Sequence, residues 1–260
     1  MVKSGLNCAP EDKVLISWKP RVVSRAESVH RWGAVWFRDR QEAGEQLAAA
    51  LRPYRERQPY VLAIPRGGVV VGYVVARELG APLDVIVPRK LRAPGNPELA
   101  IGAVAHDGTL YLDQALVSSL RVDEEYLRQE ASEQTEEIRR RMHLYRGDRP
   151  LPDLTARTAI VVDDGIATGA TMIAALRAVR AMRPERVVAA IPVAPPDGAQ
   201  RLGGEADEVL CLHRPVMFYA VGQFYDDFAQ TTDDEVIAFL RRRDAERAAE
   251  GEQASSGPDR

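Results

Sequence analysis

The feature that most constrains the fold of this chain is the segment over residues 161–171, VVDDGIATGAT. Branched apolar residues, which favour a buried strand, end there in two adjacent carboxylates, Asp163 and Asp164. A loop with two glycines follows, and the apolar residues beyond it recur at helical spacing, which predicts a helix over about 170–183. A strand that passes through a short glycine-containing loop into a helix is typical of an α/β fold with a largely parallel sheet.

Apolar runs and amphipathic stretches alternate along most of the remaining chain, which predicts the same α/β class. Pro53 should end the first helix, and Gly80 should cap the second. The first predicted helix follows Asp39 and runs to about Leu51, and the others cover 69–79, 123–146 and 232–243. The predicted strands are 60–64, 84–88, 100–105, 109–112, 158–162, 187–191 and 207–212.

The two ends of the chain lack this alternation. Residues 1–32 show neither helical nor strand periodicity, so we predict an irregular N-terminal arm. Residues 241–260 are charged and finish in Gly, Ser and Pro, which predicts a charged tail that begins as a fraying helix. The expected domain therefore spans residues 33–240.

The composition excludes several classes of function. With 35 Lys and Arg against 38 Asp and Glu, the net charge of -3 gives no overall attraction to nucleic acid, so phosphate binding must be local. The longest apolar stretch, 69–79, is interrupted by charged residues and is shorter than the ~20 residues that span a bilayer. The first 25 residues contain no apolar region typical of a secretory signal. We therefore expect a cytoplasmic protein that binds neither nucleic acid nor a membrane.

The loop after the acid pair has the composition of a phosphate-binding site. Glycines let backbone N–H groups approach an anion, hydroxyls donate to it, and a helix N-terminus adds about half a positive charge. Neither a P-loop nor a dinucleotide-binding glycine pattern is present. Two carboxylates before such a loop suit a sugar phosphate, because Asp163 and Asp164 can take the ribose hydroxyls or a Mg²⁺ ion bound to them. The alternative is an ordinary strand-to-helix turn with an aspartate cap.

An apolar strand, two acids, a few variable residues and Thr-Gly-x-Thr together resemble the signature of the type I phosphoribosyltransferases. The resemblance implies a mostly parallel, twisted sheet with helices on both faces and a small hood, and Mg²⁺ as the cofactor. It implies that Asp163 and Asp164 are catalytic residues that meet the metal and the ribose hydroxyls of phosphoribosyl pyrophosphate (PRPP). The residues implied to bind the 5′-phosphate of PRPP are Gly165, Ile166, Ala167, Thr168, Gly169, Ala170 and Thr171.

Two more segments carry the same resemblance. Arg66, Gly67 and Gly68 follow a predicted strand, and the corresponding loop of the family grips pyrophosphate, often with a non-proline cis peptide just before the first glycine. Arg89 and Lys90 leave the next strand together, and a similar pair in the family touches the pyrophosphate during catalysis. For this pair the alternative is a solvated basic turn. Residues 90–99 are rich in Pro, Gly and Asn, which predicts a mobile lid that closes on PRPP.

Residues 213–231 are rich in aromatic side chains, and we expect them to form the hood over the acceptor. For most of these aromatic residues, packing in the core is the expected role. The stretch resembles the hood of the 6-oxopurine phosphoribosyltransferases, which implies that Tyr219 stacks on the acceptor and that Asp226 lies near the acceptor and the metal. A hood built from residues 1–50 is the competing interpretation.

The sequence leaves the acceptor open. The 6-oxopurine enzymes carry an aspartate directly before Thr-Gly, whereas this chain has Ala167 and resembles the adenine and uracil enzymes there. The overall pattern is most similar to a group of predicted bacterial phosphoribosyltransferases without an established acceptor. We therefore predict a glycosyltransferase of nucleotide metabolism that transfers ribose 5-phosphate from PRPP to a nitrogenous base or other small nucleophile. Its expected partners are PRPP, the acceptor and, in a homodimer, a second copy of the chain.

A non-catalytic PRPP or nucleotide sensor with a regulatory role is the alternative function. A response-regulator-like receiver also places two acids after a strand, but it places them near the N-terminus of the domain and not at residue 163. We therefore exclude the receiver.

Overall fold

A five-stranded parallel sheet lies at the centre of the structure, a computed structural model that describes residues 36–105 and 108–255, without the side chains of residues 98 and 253–255. The predicted arm over 1–32 and residues 256–260 of the predicted tail lie outside the described residues. The strands of this sheet are β1 (Tyr60–Ala63), β2 (Leu83–Val85), β6 (Thr158–Val162), β7 (Arg186–Val193) and β8 (Glu208–His213). Their spatial order is β2–β1–β6–β7–β8, and each neighbouring pair is parallel.

Helices cover both faces of this sheet. In chain order, the α-helices of the described residues are α1 (Arg40–Leu51), α2 (Gly67–Leu79), α3 (Gln114–Ser119), α4 (Glu124–Arg146), α5 (Ala170–Ala181), α6 (Pro196–Leu202) and α7 (Asp233–Ser255). In the described ranges, none of the helices combines the length and the apolar character needed to cross a bilayer.

Alternate residues of the central strands face two apolar layers. In β6, Ile160 and Val162 pack with α1, α2, α4 and α7, whereas Ala159 and Val161 pack with α5 and α6. Because successive side chains of a strand point to opposite faces and both faces are covered, these strands read in the sequence as continuous apolar runs.

Residues 89–112 form a second, antiparallel sheet instead of joining the parallel one. In the described part of the chain it contains β3 (Arg89–Ala93), β4 (Asn96–Val104) and β5 (Leu110–Leu112), in that order. The stretch predicted as a lid over 90–99 is therefore regular structure, a β-hairpin whose turn contains Gly95 in the left-handed region at φ 72°. Burial alternates along β3, where Leu91 and Ala93 are buried and Lys90 is exposed. That two-residue period is the strand signal that the Pro and Gly content obscured.

The last helix is longer than the sequence predicts. We expected a helix over 232–243 and a charged tail from residue 241, but α7 continues to Ser255. Arg243, within the expected tail, is fully buried and donates from Nε to the backbone oxygen of Ala81 at 2.9 Å and from Nη1 to Glu250 Oε1 at 2.8 Å. Ion pairs at helical spacing satisfy the charges, and for this reason a charged stretch forms a helix here.

Candidate active site

The two glycine-containing loops of the sequence meet at one edge of the parallel sheet. Both leave the carboxyl ends of adjacent strands, β1 and β6. After β1 the chain passes through Arg66 into α2, and after β6 it passes through the acid pair and residues 165–169 into α5. Open α/β sheets bind ligands at this edge. The peptide bond between Pro65 and Arg66 is cis, one bond earlier than the family resemblance implies.

Gly67 and Gly68 are required by the close contact between the two loops. A Cβ atom on Gly67 would lie 2.0 Å from Asp164 Oδ2, and one on Gly68 would lie 2.9 Å from Asp163 Oδ1. A larger residue at either position would displace the acids, because tightly packed protein atoms leave no room for an added Cβ atom. The two glycines therefore place both carboxylates against the first turn of α2.

The helices α2 and α5, which follow the two loops, both begin without a capping side chain. By contrast, Asp39, Asp113 and Asp123 cap α1, α3 and α4. The residue before α5, Gly169, takes the left-handed conformation at φ 82°. The first N–H groups of a helix have no partner inside the helix, and its N-terminus carries partial positive charge. The ends of α2 and α5 therefore offer two neighbouring positions for anions.

The acid pair occupies a position that disfavours its charged form. The backbone N–H of Asp164 donates to Asp163 Oδ1 at 2.9 Å. Burial, and then the adjacent charge of Asp164, raise the pKa of Asp163 well above its usual value. Burial also raises the pKa of Asp164, although the guanidinium of Arg40 opposes this shift. Hydroxyl donors or a cation brought by a ligand would favour the ionised pair.

Two residues that the sequence analysis did not connect with the acid pair anchor it. Arg40, at the start of α1, donates from Nε to Asp164 Oδ2 at 2.6 Å and from Nη1 to the backbone oxygen of Ala229 at 2.7 Å. Its guanidinium lies 3.8 Å from the ring centroid of Phe228. The hydroxyl of Tyr225 donates to the backbone oxygen of Asp164 at 2.5 Å. In the sequence, Arg40 is recognisable only as the residue after the helix cap Asp39. That position does not predict its contact with Asp164, which lies 124 positions later.

A cavity of about 400 Å³ opens beside these residues. Its volume is in the range of small-molecule sites. It is lined by Arg40, Arg66, Gly67, Asp164, Val221, Phe228, Gln230 and Thr231. Residues from both glycine loops, from α1 and from the predicted hood segment thus surround one space.

The predicted pyrophosphate residues lie in two places. Arg66 lines the cavity and lies 3.9 Å from Asp233 Oδ1, at the start of α7. Arg89 lies on β3, where its Nε donates to Gln134 Oε1 at 3.1 Å. Burial and the nearby charge of Arg141 lower the pKa of Arg89, and Lys90 is exposed. Arg89 and Lys90 do not line the cavity, so their expected contact with pyrophosphate requires the hairpin to move towards it.

The predicted hood segment packs with residues from the N-terminal side of the domain. Phe37 pairs with Tyr225, and the ring of Trp36 stacks on His213 and Phe224 with centroids 4.5 and 4.8 Å apart. Phe224 and Tyr225 are buried in this cluster, in agreement with core packing as the role of most aromatic residues here. The predicted hood segment is therefore held in place by residues from a distant part of the sequence.

Tyr219 and Asp226 do not join the acid pair. Tyr219 is 83% exposed, and Asp226 is exposed with its backbone N–H bonded to the oxygen of Phe37. In the part of the chain that the structure describes, no group of three His, Cys, Asp or Glu side chains lies close enough together to hold a metal ion. The structure thus does not form the expected three-residue metal site, because the backbone pairing with Phe37 holds Asp226 at the surface.

Asp163 and Asp164 nevertheless fit a Mg²⁺ ion carried by a substrate. Carboxylate oxygens are hard ligands, and Mg²⁺ is usually held by one or two carboxylates together with substrate phosphates. A cation would also stabilise the ionised forms of two carboxyls whose pKa values are raised.

Comparisons with known proteins identify the family. The model of the phosphoribosyl transferase domain matches residues 39–229. Two Mycobacterium tuberculosis proteins from different strains, both named "Putative phosphoribosyl transferase", are 47% identical over 206 residues, which is 79% of this chain and 46% of each relative. The chain therefore spans less than half the length of these relatives. The protein TT1426 from Thermus thermophilus, known from its crystal structure, is 47% identical, with a TM-score of 0.69 over 80% of this chain and 98% of that one.

The matched residues include both glycine loops, the acid pair and all five strands of the parallel sheet. A mostly parallel sheet with helices on both faces confirms the predicted type I phosphoribosyltransferase fold class. The chain belongs to the phosphoribosyl transferase domain family.

Proposed function

We propose that the protein uses PRPP and Mg²⁺ to transfer ribose 5-phosphate to a nitrogenous base or other small nucleophile, with release of pyrophosphate. The observation that carries this proposal is the pair of helix N-termini without capping side chains, one in contact with two adjacent carboxylates and the other at the end of the loop that follows them. PRPP has the matching arrangement, with a phosphate at one end, a pyrophosphate at the other and ribose hydroxyls between them. Helix N-termini are suited to bind the phosphate and the pyrophosphate, and carboxylates are suited to accept hydrogen bonds from the ribose hydroxyls.

The binding roles follow from the positions of these groups. The backbone N–H groups of residues 167–171, at the start of α5, bind the 5′-phosphate, whereas that of Ile166 donates to the backbone oxygen of Val193 at 3.1 Å. The first turn of α2, with Gly67, Gly68 and Arg66, binds the pyrophosphate. Asp163 and Asp164 accept hydrogen bonds from the ribose hydroxyls, which stabilises their ionised forms.

In the reaction, the bond between the anomeric carbon and the pyrophosphate oxygen breaks, and the electron pair leaves with pyrophosphate. A bond from the acceptor to the same carbon forms with inversion, and the proton that the acceptor loses passes to the departing pyrophosphate. Bound Mg²⁺ would neutralise negative charge on the departing pyrophosphate. Arg66 adds positive charge at that end, and Arg89 and Lys90 do so when the hairpin approaches.

Val221 and Phe228 line the cavity and pack against the cluster of Trp36, Phe37 and Tyr225, and they would keep water away from the cationic ribose. The hydroxyl of Tyr225 also fixes the backbone at Asp164. Exclusion of water matters because the oxocarbenium-like transition state would otherwise react with solvent.

Tyr219 and Asp226 are proposed to contact the acceptor. The exposure of Tyr219 leaves its ring free for stacking, a contact that contributes about 1 to 3 kcal/mol. If so, Tyr219→Ala should weaken acceptor use and leave PRPP binding unchanged. Ala167 provides no side chain for acid/base work at a 6-oxopurine, so the screen of acceptors must be broad.

The experiment is PRPP-dependent release of pyrophosphate in the presence of Mg²⁺, screened over purines, pyrimidines, orotate, nicotinate and amino sugars. Turnover with one acceptor establishes the transferase. PRPP binding by calorimetry without turnover on any acceptor would favour the sensor. The double variant Asp163→Asn with Asp164→Asn is the control, and unchanged PRPP affinity in that folded variant would contradict the site.

A further inference from the structure

We infer that Arg40 is a substrate-contacting residue that binds the pyrophosphate of PRPP through the free edge of its guanidinium. The inference rests on the proposed function and adds a residue from α1 to the site. Arg40 does not belong to either glycine loop or to the hairpin.

The surroundings of the guanidinium leave one edge available. Nε donates to Asp164, Nη1 donates to the backbone oxygen of Ala229, and one face lies over Phe228. For Nη2, no acceptor lies within hydrogen-bonding distance among the described residues. Arg40 lines the cavity although its side chain is only 11% exposed. A guanidinium held on three sides loses little freedom when its last donors bind a ligand.

The charge of the cavity favours an anion. Among its lining residues, Arg40 and Arg66 are cationic and Asp164 is the counter-charge. The carboxylate that pairs with Arg66, Asp233, is 3.9 Å away and also accepts a hydrogen bond from Tyr145. The lining therefore carries excess positive charge, which a phosphate group would balance.

The position of Arg40 indicates which phosphate it meets. Its Nε is 2.6 Å from the point where a Cβ of Gly67 would lie, so the guanidinium is beside the first residue of α2. This is the pyrophosphate end of the site, and the ion pair with Asp164 places the same group beside the ribose hydroxyls. Because Arg40 lies against both Gly67 and Asp164, it should also lie near the oxygen that joins the ribose to the pyrophosphate. Negative charge develops on that oxygen as the bond breaks, so Arg40 should bind the transition state more tightly than the substrate.

A merely structural Arg40 would neutralise Asp164 and hold Ala229 and Phe228 in place. The two roles differ in ligand selectivity. A residue that contacts pyrophosphate affects ligands that contain it, whereas a residue that only supports the fold affects every ligand of the site.

The test measures the affinity of inorganic pyrophosphate with Mg²⁺, and separately of ribose 5-phosphate, by calorimetry on the full chain. Arg40→Gln should weaken pyrophosphate binding by about tenfold or more, and ribose 5-phosphate binding by less than about twofold. Arg40→Lys keeps a charge for Asp164 but lacks the planar fork, so its pyrophosphate affinity should be intermediate. Arg38→Gln is the matched control, because Arg38 is 69% exposed and pairs with Glu42 at the surface.

The outcomes separate this inference from the proposed function. Selective loss of pyrophosphate affinity in Arg40→Gln, with Arg38→Gln unchanged, supports the contact. Equal loss for both ligands, or no loss, overturns it while the wild type still binds PRPP. If Arg40→Gln does not fold, unchanged pyrophosphate affinity in Arg40→Lys overturns the contact. If the wild type binds neither PRPP nor pyrophosphate, the proposed function fails and the inference fails with it.

Discussion

At the scale of residues, the acid pair shows a site arranged at the expense of stability. Asp163 and Asp164 are adjacent, partly buried and close to one cation, Arg40, among their described neighbours. Burial and mutual repulsion raise the pKa of Asp163, so the ligand-free protein holds a carboxylate in an unfavourable place. Such positions are typical of binding sites, where a ligand supplies the missing compensation.

Asp163→Asn should therefore stabilise the ligand-free protein by about 1 kcal/mol at pH 7 while it removes productive PRPP binding. The folded-state pKa of Asp163 lies above its usual value of 3.8, so its contribution to stability is present below that pH and is lost as the pH rises through the raised pKa. The gain from the substitution should thus increase from pH 4 to pH 7. The Asn oxygen can still accept the hydrogen bond from Asp164. Urea unfolding at both pH values tests this, and a gain that is equal at the two would contradict it.

Gly67→Ala should disrupt the site from the opposite loop. The new Cβ would lie 2.0 Å from Asp164 Oδ2, so the acid or the loop must shift, at a cost of about 1 to 3 kcal/mol. We expect loss of PRPP affinity and a lower free energy of unfolding. Gly204→Ala is the matched control, since its Cβ would meet no described atom within 4 Å, and its effect should stay within about 0.5 kcal/mol. Equal behaviour of the two variants would show that the loops are not in contact.

At the scale of elements, the hairpin of β3 and β4 is attached to α4 by several side chains, of which Glu130 makes the most hydrogen bonds. Glu130 Oε1 accepts from the backbone N–H of Arg92 at 3.0 Å and from its Nε at 2.7 Å. The hydroxyl of Tyr126 donates to the backbone oxygen of Arg92. The predicted lid is thus an ordered hairpin anchored at its base, and its closure on PRPP stays a prediction.

Glu130→Gln should loosen this anchor. Arg92 is 42% exposed, so solvent screens the pair, and we expect a loss of only about 1 kcal/mol in the free energy of unfolding. Amide hydrogen exchange over residues 89–97 should accelerate, with exchange in α5 unchanged. Glu136→Gln is the control, because Glu136 is 77% exposed and pairs with Arg139 on the same helix. If the hairpin exchanges equally in both variants, Glu130 is not its anchor. If PRPP does not slow exchange there in the wild type, the hairpin is not a closing lid.

At the scale of the whole molecule, α7 connects the domain's apolar layer with the site. It follows the matched family residues 39–229, and Val236 and Leu240 pack in the layer that contains α2. At its start, Asp233 Oδ1 accepts from the hydroxyl of Tyr145 at 2.5 Å and lies near Arg66. In its middle, Arg243 links the helix to the turn at Ala81.

Arg243→Ala should destabilise the protein by about 3 kcal/mol, because the buried oxygen of Ala81 and part of the charge of Glu246 and Glu250 lose their partner. For a chain of this size the melting temperature should fall by roughly 6 to 12 °C. Arg242→Ala removes a neighbouring arginine that is 62% exposed, and it should change stability by less than about 0.5 kcal/mol. Calorimetric melting of both variants measures the difference. Similar melting temperatures would show that α7 is not part of the folded unit at this point.

The sequence by itself determined the features that depend on near neighbours. The acid pair, the loop over 165–169 and α5 are consecutive, and the caps Asp39 and Asp123 lie within one turn of the N–H groups that they bind. The alternation of apolar runs with amphipathic helical segments predicted the parallel sheet in the same way. Propensity and periodicity are properties of a few consecutive residues, so they can be recognised in the sequence. The family signature lies within these local segments, and so the fold class followed from it.

Only the tertiary structure decided which distant residues meet. Arg40 reaches Asp164 across 124 positions, and Phe37 joins Tyr225 across an even longer stretch of sequence. The antiparallel pairing of β3 with β4 and the burial of Arg243 against Ala81 were equally hidden, because each depends on a partner that packing supplies. A charged residue such as Arg243 reads as a solvated tail until the fold places an acceptor beside it. Local pattern thus defines the elements and the chemistry at their ends, whereas long-range packing selects the side chains that complete the site.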